Sequence, residues 1–361
     1  MSAQTLAAAN ARLITAQSRI SVAGLWGGGL LASVDGLRFV VPVRTLDAGP
    51  NPRYFGRGRG VTWLNAINDQ VAGIGGVVVT GTMRDALHVL DVILSRDGGP
   101  PPQMIATDTA SYSDIVFGLF RLLGYQFSPR LADLPDQRLW RLTLPGAPRV
   151  DYGPMNDVAR HHLSFDKIRA QWPDMLRAAG SLHTGTVAGY DLLRMLGRDG
   201  NPSPLGAAFA EYGRAAKTLH LLAMCDPVDE THRRTVHVQL TVQESRHRLA
   251  RKIFHGSRGE IRKRYREGQE DQLAALGLVL NAVVLWNTRY IDAALTALAA
   301  QGYPVHEQDA ARLSPLVDAH LNVYGRYTFT RPTSDGLRPL RDLTEPVEPE
   351  YLPDGTRSAS R

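Results

Sequence analysis

The sequence predicts an α/β protein in which helices cover a mixed sheet, and three features of the chain support this class. Between residues 30 and 125, β-rich runs and helical periodicity alternate in the order strand, strand, strand, helix, strand, helix. From about residue 151 to 234 the pattern is helical and is interrupted by Gly and Pro turns. A basic amphipathic segment and then a strongly apolar helical segment follow.

The first part of the chain supplies the beginning of the predicted sheet. Residues 3–18 are alanine-rich and helical in pattern. The run GLLASVDGLRFVVPV predicts two strands joined by a hairpin at Asp35-Gly36, because Asp-Gly is a favoured hairpin turn. The next stretch, AGPNPRYFGRGRGVTW, is interpreted as a flexible basic loop that can approach a phosphate closely.

The sheet continues with elements that end at a second acidic residue. GIGGVVVTG predicts a strand, and MRDALHVLDVILS predicts a helix. A strand over residues 103–107 ends at Asp108. The following helix, IVFGLFRLLGY, has Ser113 or Asp114 as its N-cap.

The second half is organised around residues 239–288. Its first part is a basic amphipathic helix, in which Thr241 and Glu244 have the spacing of a capping box. This pattern leaves two roles open for Glu244. Its carboxylate can accept from the backbone N–H of the N-cap residue, or it can bind a metal ion while the surrounding cations hold a phosphate backbone. A second helix, from about Gln269 to Ala300, carries a wide apolar stripe that indicates burial.

The composition and charge of the chain indicate which kinds of partner it can bind. The 361 residues are 43% hydrophobic and 21% charged, with a formal net charge of +6, and the cations concentrate between Arg233 and Arg266. Such a basic face suits a polyanion, with a solvated helix face as the alternative.

The single cysteine, Cys225, cannot form an internal disulfide. We find no signal-peptide pattern and no apolar run near the ~20 residues of a membrane span. These features predict a cytoplasmic protein without a membrane partner.

Three acids form a candidate site. Asp108 at a strand end is expected to face a crevice, and Asp35 and Glu244 could join it. Such a set of oxygen ligands suits Mg²⁺ or Mn²⁺, and two such ions can catalyse phosphodiester chemistry. Spacing alone does not select these three residues. The competing acids are Asp47, Asp91, Asp114 and Glu260.

The same residues carry a resemblance to a known family. The matching text includes LLASVDGLRFVVPVRTLDAGPNPRYFGRGRGVTWLN, MIATDTASYSDIVFGLFRLLGY, EYGRAAKTLHLL, ESRHRLARKIFHG and GQEDQLAALGLVLNAVVLWNTRYIDAAL. Over roughly residues 5–341 the chain closely resembles the carboxyl-terminal catalytic part of the Tn-three family of replicative (class II) transposases. The run LNAVVLWNTRY is the most specific part of this match.

The resemblance implies an RNase H-like mixed sheet with flanking helices, interrupted by a helical insertion, and a DDE triad. The triad maps onto Asp35 in SVDG, Asp108 in ATDT and Glu244 in QESRH, with Glu260 in RGE as the alternative third acid. These acids would be both the catalytic residues and the ligands of Mg²⁺, with Mn²⁺ as a substitute. The implied reaction is cleavage at the transposon 3′ ends by water, followed by attack of the freed 3′-hydroxyls on target DNA.

The resemblance also implies partners. These are double-stranded DNA (transposon ends and target) and further copies of the chain in the DNA complex, in a bacterial cytoplasm with nucleoid association. From helix geometry and the basic loop we expect DNA-phosphate contacts, with a solvated face as the alternative, at Arg246, His247, Arg251, Lys252, Arg57 and Arg59.

Six segments are predicted. They are an N-terminal helical remnant (1–22), the sheet part of the RNase H-like core (23–150), the helical insertion (151–235), the helical part of the core with the catalytic Glu (236–300), a C-terminal packing segment (301–341) and a disordered tail (342–361). Family members are usually far longer, with amino-terminal regions that bind the terminal inverted repeats. We therefore expect a truncated transposase catalytic domain, or alternatively a non-catalytic remnant that binds DNA or full-length transposase as a regulator.

Overall fold

The structure, a computed structural model, describes residues 2–43, 48–80, 85–109, 112–132, 134–148, 150–254, 260–261, 271–322, 325–326 and 340. The helices are α1 (Ala3–Ser18), α2 (Ser21–Trp26), α3 (Pro52–Phe55), α4 (Val89–Leu94), α5 (Asp114–Leu122), α6 (Met155–Val158), α7 (Phe165–His183), α8 (Gly189–Gly197), α9 (Pro204–Met224), α10 (Thr231–Ile253), α11 (Asp271–Ala300) and α12 (Glu307–Ala310). The strands are β1 (Leu31–Val40), β2 (Gly49–Pro50), β3 (Arg59–Asn68), β4 (Gly73–Thr80), β5 (Met104–Thr107), β6 (Gln126–Pro129), β7 (Trp140–Arg141) and β8 (His161–His162).

A mixed sheet forms the centre of the chain, as the sequence predicts. Its strands lie in the order β4-β3-β1-β5-β6, and the short strand β2 also pairs with β3. Strand β3 is antiparallel to both of its long neighbours, β1 and β4. Strands β1, β5 and β6 run parallel. The parallel half follows the rule that such strands need crossover connections, here α4 between β4 and β5 and α5 between β5 and β6.

The predicted hairpin at Asp35-Gly36 is wrong. Strand β1 continues through both residues and pairs with β3 without interruption from Ala32–Asn68 to Val40–Gly60. The strand is favoured over the local turn because extending it buries Leu37 and Phe39, whose exposed fractions are both 0%. The interpretation of residues 59–63 as a loop is also wrong, because these residues begin β3 and pair with β1.

The helix that contains Glu244 begins earlier than the sequence predicts. Helix α10 starts at Thr231, so Thr241 and Glu244 lie in its interior and the predicted capping box is wrong. Thr241 Oγ1 instead donates to the carbonyl of His237. The residues that precede Thr241 remain helical because Val236 and Leu240 are buried against the sheet.

The other predicted helices are present with small shifts of their ends. Residues 3–18 form α1, and Ser113 is the N-cap of α5, where its hydroxyl accepts from Val116 N. The region predicted to be helical contains α7, α8 and α9, and the apolar segment forms α11. The prediction of a disordered tail lies outside the described residues.

Helices cover both faces of the sheet. On one face, Val34 and Ile105 pack with Phe117 and Phe120 of α5 and with residues of α4, α8 and α9. On the other face, Leu37 and Phe39 pack with residues of α10 and α11. Because side chains alternate along β1, the two cores take even and odd positions of the same strand.

One helix in the described part of the chain, Gln272–Ala300, has the length and hydropathy (1.3) of a membrane span. A helix in the core of a soluble protein passes the same test. Its Asn281, Asn287 and Thr288 are buried and hydrogen-bonded to other residues of the chain.

Candidate active site

Asp35 and Asp108 lie side by side on neighbouring parallel strands. The last register pair between β1 and β5 is Val34–Thr107, and each acid is the next residue of its chain. Neighbouring strands are about 4.8 Å apart, so the two carboxylates start from adjacent backbone positions. The sequence places Asp108 correctly at a strand end, whereas Asp35 lies within a strand.

Both acids belong to the face of the sheet that α10 covers. Two residues before Asp35, Ser33 donates from Oγ to Gln243 Oε1 of α10 over 2.8 Å. Two residues before Asp108, Ala106 belongs to one apolar cluster with Val236 and Leu240 of α10. Since residues i and i+2 of a strand share a face, the backbone directs both acids toward α10.

The two acids have different surroundings. The Asp35 side chain is 37% exposed, its Oδ1 accepts from Gly36 N over 2.7 Å, and its Oδ2 lies 3.5 Å from Nδ1 of His247. The Asp108 side chain is 54% exposed, and its Oδ1 lies 3.9 Å from Arg130 Nη1. Asp35 is therefore held in place, while Asp108 is open to solvent.

Glu244 lies on α10, the helix that covers the face of the sheet carrying Asp35 and Asp108. It is exposed and lies one helical turn beyond Leu240, which belongs to one apolar cluster with Ala106 of β5. Among the described residues, however, no three His, Cys, Asp or Glu side chains converge on one metal position. Asp35 and Asp108 are adjacent, and Glu244 does not form a closed ligand set with them.

The competing acids have other surroundings. Glu260 forms an isolated bridge with Val40, five residues beyond Asp35 along β1, which corresponds to about 17 Å of strand. Asp91 accepts from the backbone of Gly189 and Tyr190 at the start of α8. Asp114 pairs with Arg214 and Lys217. Asp47 lies outside the described residues.

A buried polar network lies beside Asp35, and the sequence reasoning did not identify it. It consists of polar side chains from β1, β3 and α10: Ser33, Asn65, Gln239, Gln243 and His247. The available signal was the spacing of Gln239, Gln243 and His247, which are four residues apart on one helix.

His247 is neutral within this network. Burial lowers its pKa to about 3, and the charges of Arg246, Arg251 and Arg38 add to that effect. Its Nε2 lies 3.0 Å from Asn65 Nδ2 and 3.0 Å from Gln243 Nε2. The prediction that His247 contacts DNA does not fit this position, because the ring is enclosed and faces Asp35.

Arg246 is also interior, which corrects its prediction as a DNA contact. It is 1% exposed and donates from Nη1 to Val71 O over 3.2 Å and from Nη2 to Asn281 Oδ1 over 2.6 Å. Burial lowers the pKa of this guanidinium to about 9. A side chain so enclosed cannot reach a phosphate at the surface.

The remaining predicted cations lie at the surface. Arg251, Arg57 and Arg59 are exposed. Lys252 is partly exposed and donates to Asp318 O over 2.8 Å, with its Nζ 3.3 Å from Asp318 Oδ2. Of the four DNA-contact residues predicted on α10, Arg251 is therefore the most available to a polyanion.

The donor set fits a hard divalent cation. Carboxylate oxygens are the ligands that Mg²⁺ and Mn²⁺ prefer, and exposed Asp108 and Glu244 leave room for water and phosphate oxygens. Asp35 is partly exposed, and its Oδ1 is positioned by Gly36 N.

The chain is similar to known proteins over most of its length. Residues 1–327 match the family described as Tn3 transposase DDE domain. The chain is 58% identical over 341 residues to the transposase for transposon Tn4556 of Streptomyces fradiae, covering 94% of this chain and 38% of that protein. It is 50% identical over 351 residues to the transposase for transposon gamma-delta of Escherichia coli strain K12, covering 97% of this chain and 34% of that protein. The chain thus spans little more than a third of the length of these relatives.

Proposed function

The chain belongs to the Tn3 transposase DDE domain family, and on this premise we propose that it is a transposase catalytic domain that cuts and joins DNA strands. The observation that carries the proposal is the adjacency of Asp35 and Asp108 on parallel strands, on the face that α10 covers. The strand order, three antiparallel strands followed by two parallel ones, supports an RNase H-like core.

In the proposed site, Asp35, Asp108 and Glu244 hold Mg²⁺, with Mn²⁺ as a substitute. When bound, the metal supplies Lewis-acid stabilisation of the phosphodiester and activation of the attacking hydroxyl. The protein positions the metal ligands. The sheet fixes the spacing of Asp35 and Asp108, and the N–H of Gly36 orients the carboxylate of Asp35. Glu244 is preferred over Glu260 because its helix covers the face of the sheet that carries Asp35 and Asp108, while Glu260 bridges Val40, five residues along β1 from Asp35.

The proposed substrate is double-stranded DNA, at transposon ends and at the target. Arg57, Arg59 and Arg251 are exposed cations that can hold its phosphates, with Lys252 in a partial role. Arg130, 3.9 Å from Asp108, is a further cation at the site.

We also propose that the chain is divided into the six predicted segments, with residues 151–235 as an insertion. We propose in addition that several copies of the chain assemble on nucleoid DNA.

A second candidate function is a non-catalytic chain that binds DNA or full-length transposase as a regulator. The observation that favours it is the open arrangement of the acids, since no three of them converge among the described residues. Both functions share the DNA-binding face and differ only in the chemistry of the acids.

The experiment is strand transfer of pre-cut transposon-end DNA into a target plasmid, with Mg²⁺, with Mn²⁺ and with a chelator. We expect metal-dependent joining that is lost in Asp35→Asn, Asp108→Asn and Glu244→Gln. The matched control is Glu260→Gln, which should retain joining. Loss in Glu260→Gln with retention in Glu244→Gln would reassign the third acid. A wild-type chain that binds DNA without joining it would favour the regulatory function.

A further inference from the structure

Two hydrogen-bond chains converge on one nitrogen of His247 and fix which ring nitrogen carries its proton. A neutral imidazole has one N–H donor and one acceptor nitrogen, and its partners decide which is which. The buried network beside Asp35 contains enough fixed partners to make this assignment. The two chains start from backbone carbonyls, which can only accept.

The first chain begins at the carbonyl of Ile67. Gln239 donates to it from Nε2 over 3.2 Å, and the same amide nitrogen lies 3.2 Å from Ser33 Oγ. The Ser33 hydroxyl accepts there and therefore gives its own proton to Gln243 Oε1, 2.8 Å away. The other end of the Gln243 amide is then its NH₂ group, which faces Asn65 Oδ1 over 2.9 Å and His247 Nε2 over 3.0 Å.

The second chain reaches the same nitrogen independently. Asn65 Nδ2 donates to the carbonyls of Trp63 and Asp35, over 3.2 Å and 3.3 Å. These acceptors identify that end of Asn65 as its NH₂ group, which also lies 3.0 Å from His247 Nε2. Two NH₂ groups thus face Nε2 and neither can accept a proton from it, so Nε2 is the unprotonated nitrogen and the proton is on Nδ1.

We infer that His247 is a positioning residue for Asp35, whose carboxylate it orients through an Nδ1–H donor fixed by Asn65 and Gln243. Nδ1 lies 3.5 Å from Asp35 Oδ2, the oxygen opposite to the one that Gly36 N holds. This distance is longer than that of a usual hydrogen bond, and Nδ1–H is the group of His247 that faces this oxygen. Each oxygen of Asp35 then has a directional donor, which limits rotation of the carboxylate.

This role rests on the proposed function, in which Asp35 is a metal ligand. Outer partners that orient a ligating side chain are worth about 10- to 100-fold in metal affinity or activity. His247 suits the task because it is 8% exposed and enters from α10, the helix that also carries Glu244. The network therefore couples the position of α10 to the orientation of the first acid on β1.

The first test is the tautomer itself, measured by ¹⁵N NMR of the imidazole nitrogens in the full ¹⁵N-labelled chain. The His247 signals are identified by their loss in His247→Gln. We expect Nδ1 protonated and Nε2 unprotonated, and an Nε2–H tautomer would overturn the inference. This readout needs neither metal nor activity, so a chain inactive in strand transfer with an Nδ1–H tautomer would count against the proposed function alone.

The second test compares two amides at position 247 by titration with Mn²⁺ alone, followed by the EPR signal of free Mn²⁺. Asn places its NH₂ group near the position of Nδ1, whereas Gln extends toward the position of Nε2. We expect His247→Gln to weaken Mn²⁺ binding about 10- to 100-fold, and His247→Asn to remain closer to wild type. Thermal unfolding of both variants controls for folding. Equal Mn²⁺ affinity of wild type and a folded His247→Gln would overturn the positioning role.

Discussion

The guanidinium of Arg246 and the amide of Asn281 join α10 to α11 through a 2.6 Å hydrogen bond from Nη2 to Oδ1. The same Asn281 oxygen accepts from Gly73 N, and its Nδ2 donates to Gly73 O and to Asn10 Oδ1. One buried amide thus connects both helices to the start of β4 and to α1. Because Arg246 and His247 are consecutive, this junction also fixes the helix turn beside Asp35.

We predict that Asn281→Leu destabilises the fold by about 3–5 kcal/mol, because it removes the acceptor of Nη2 of the buried Arg246 guanidinium and of Gly73 N. Urea unfolding measures the loss. The control is Ala282→Leu, the next residue, which is exposed and should stay within about 0.5 kcal/mol of wild type. An Asn281→Leu variant as stable as wild type would mean that Arg246 finds other partners.

A second prediction concerns the contact between α5 and α9, which pass so closely that two glycines are required. A Cβ at Gly213 would lie 1.7 Å from Asp114 O and 2.7 Å from Gly118 N. We expect Gly213→Ala to cost at least about 2 kcal/mol of unfolding free energy, since backbone atoms must move apart.

The matched control for that change is Gly180→Ala in α7, where nothing lies within 4 Å of the added Cβ. Ala is the better helix former, so this variant should gain about 0.5–1 kcal/mol. Equal effects of the two substitutions in urea unfolding would show that α5 and α9 can separate without cost.

The sequence predicts the elements whose signals are local. The periodicity of α9 and α11 and the hydroxyl of Ser113 lie within a few residues, and the structure confirms these elements. Asp108 follows a short buried strand and was also placed correctly. For these residues, neighbours along the chain are also the neighbours that decide the conformation.

The predictions fail where distant partners decide. Asp35-Gly36 is a strong local turn signal, yet pairing with β3 along the whole of β1 outweighs it. Arg246 looks like one more cation of a basic helix, and only Asn281, 35 residues later, makes it an interior residue. The network around His247 joins β1, β3 and α10, so no single segment of the sequence contains it.

A third prediction concerns acid sensitivity through His220. Burial lowers its pKa from 6.5 to about 4, with a smaller effect of His232 in the same direction, although the carbonyl of Pro129 opposes the shift. The pKa is lower in the folded chain, so the unfolded chain binds more protons between pH 6.5 and 4. Stability is therefore complete above pH 6.5 and is lost as the pH falls toward 4.

We expect His220→Gln, which can keep a donor to Pro129 O, to reduce this loss. Between pH 7.5 and pH 5, the wild-type unfolding free energy should fall by about 2 kcal/mol more than that of the variant. His183→Gln, at an exposed histidine, is the control and should follow wild type. Parallel pH profiles of wild type and His220→Gln would exclude His220 as the cause.

The last prediction separates surface cations from the interior one on the same helix. Arg251 is exposed, whereas Arg246 is 1% exposed and bonded within the fold. We expect Arg251→Ala to weaken binding to duplex DNA of any sequence and to reduce the slope of log K against log salt by about 1, because one phosphate contact is lost. Arg246→Met should leave that slope unchanged at a temperature where the variant remains folded, since the charge of the buried Arg246 releases no counterions from DNA.

Fluorescence anisotropy between low and moderate salt measures both slopes. A smaller slope for Arg246→Met and an unchanged one for Arg251→Ala would reverse these roles, and it would require α10 to turn its buried side toward DNA.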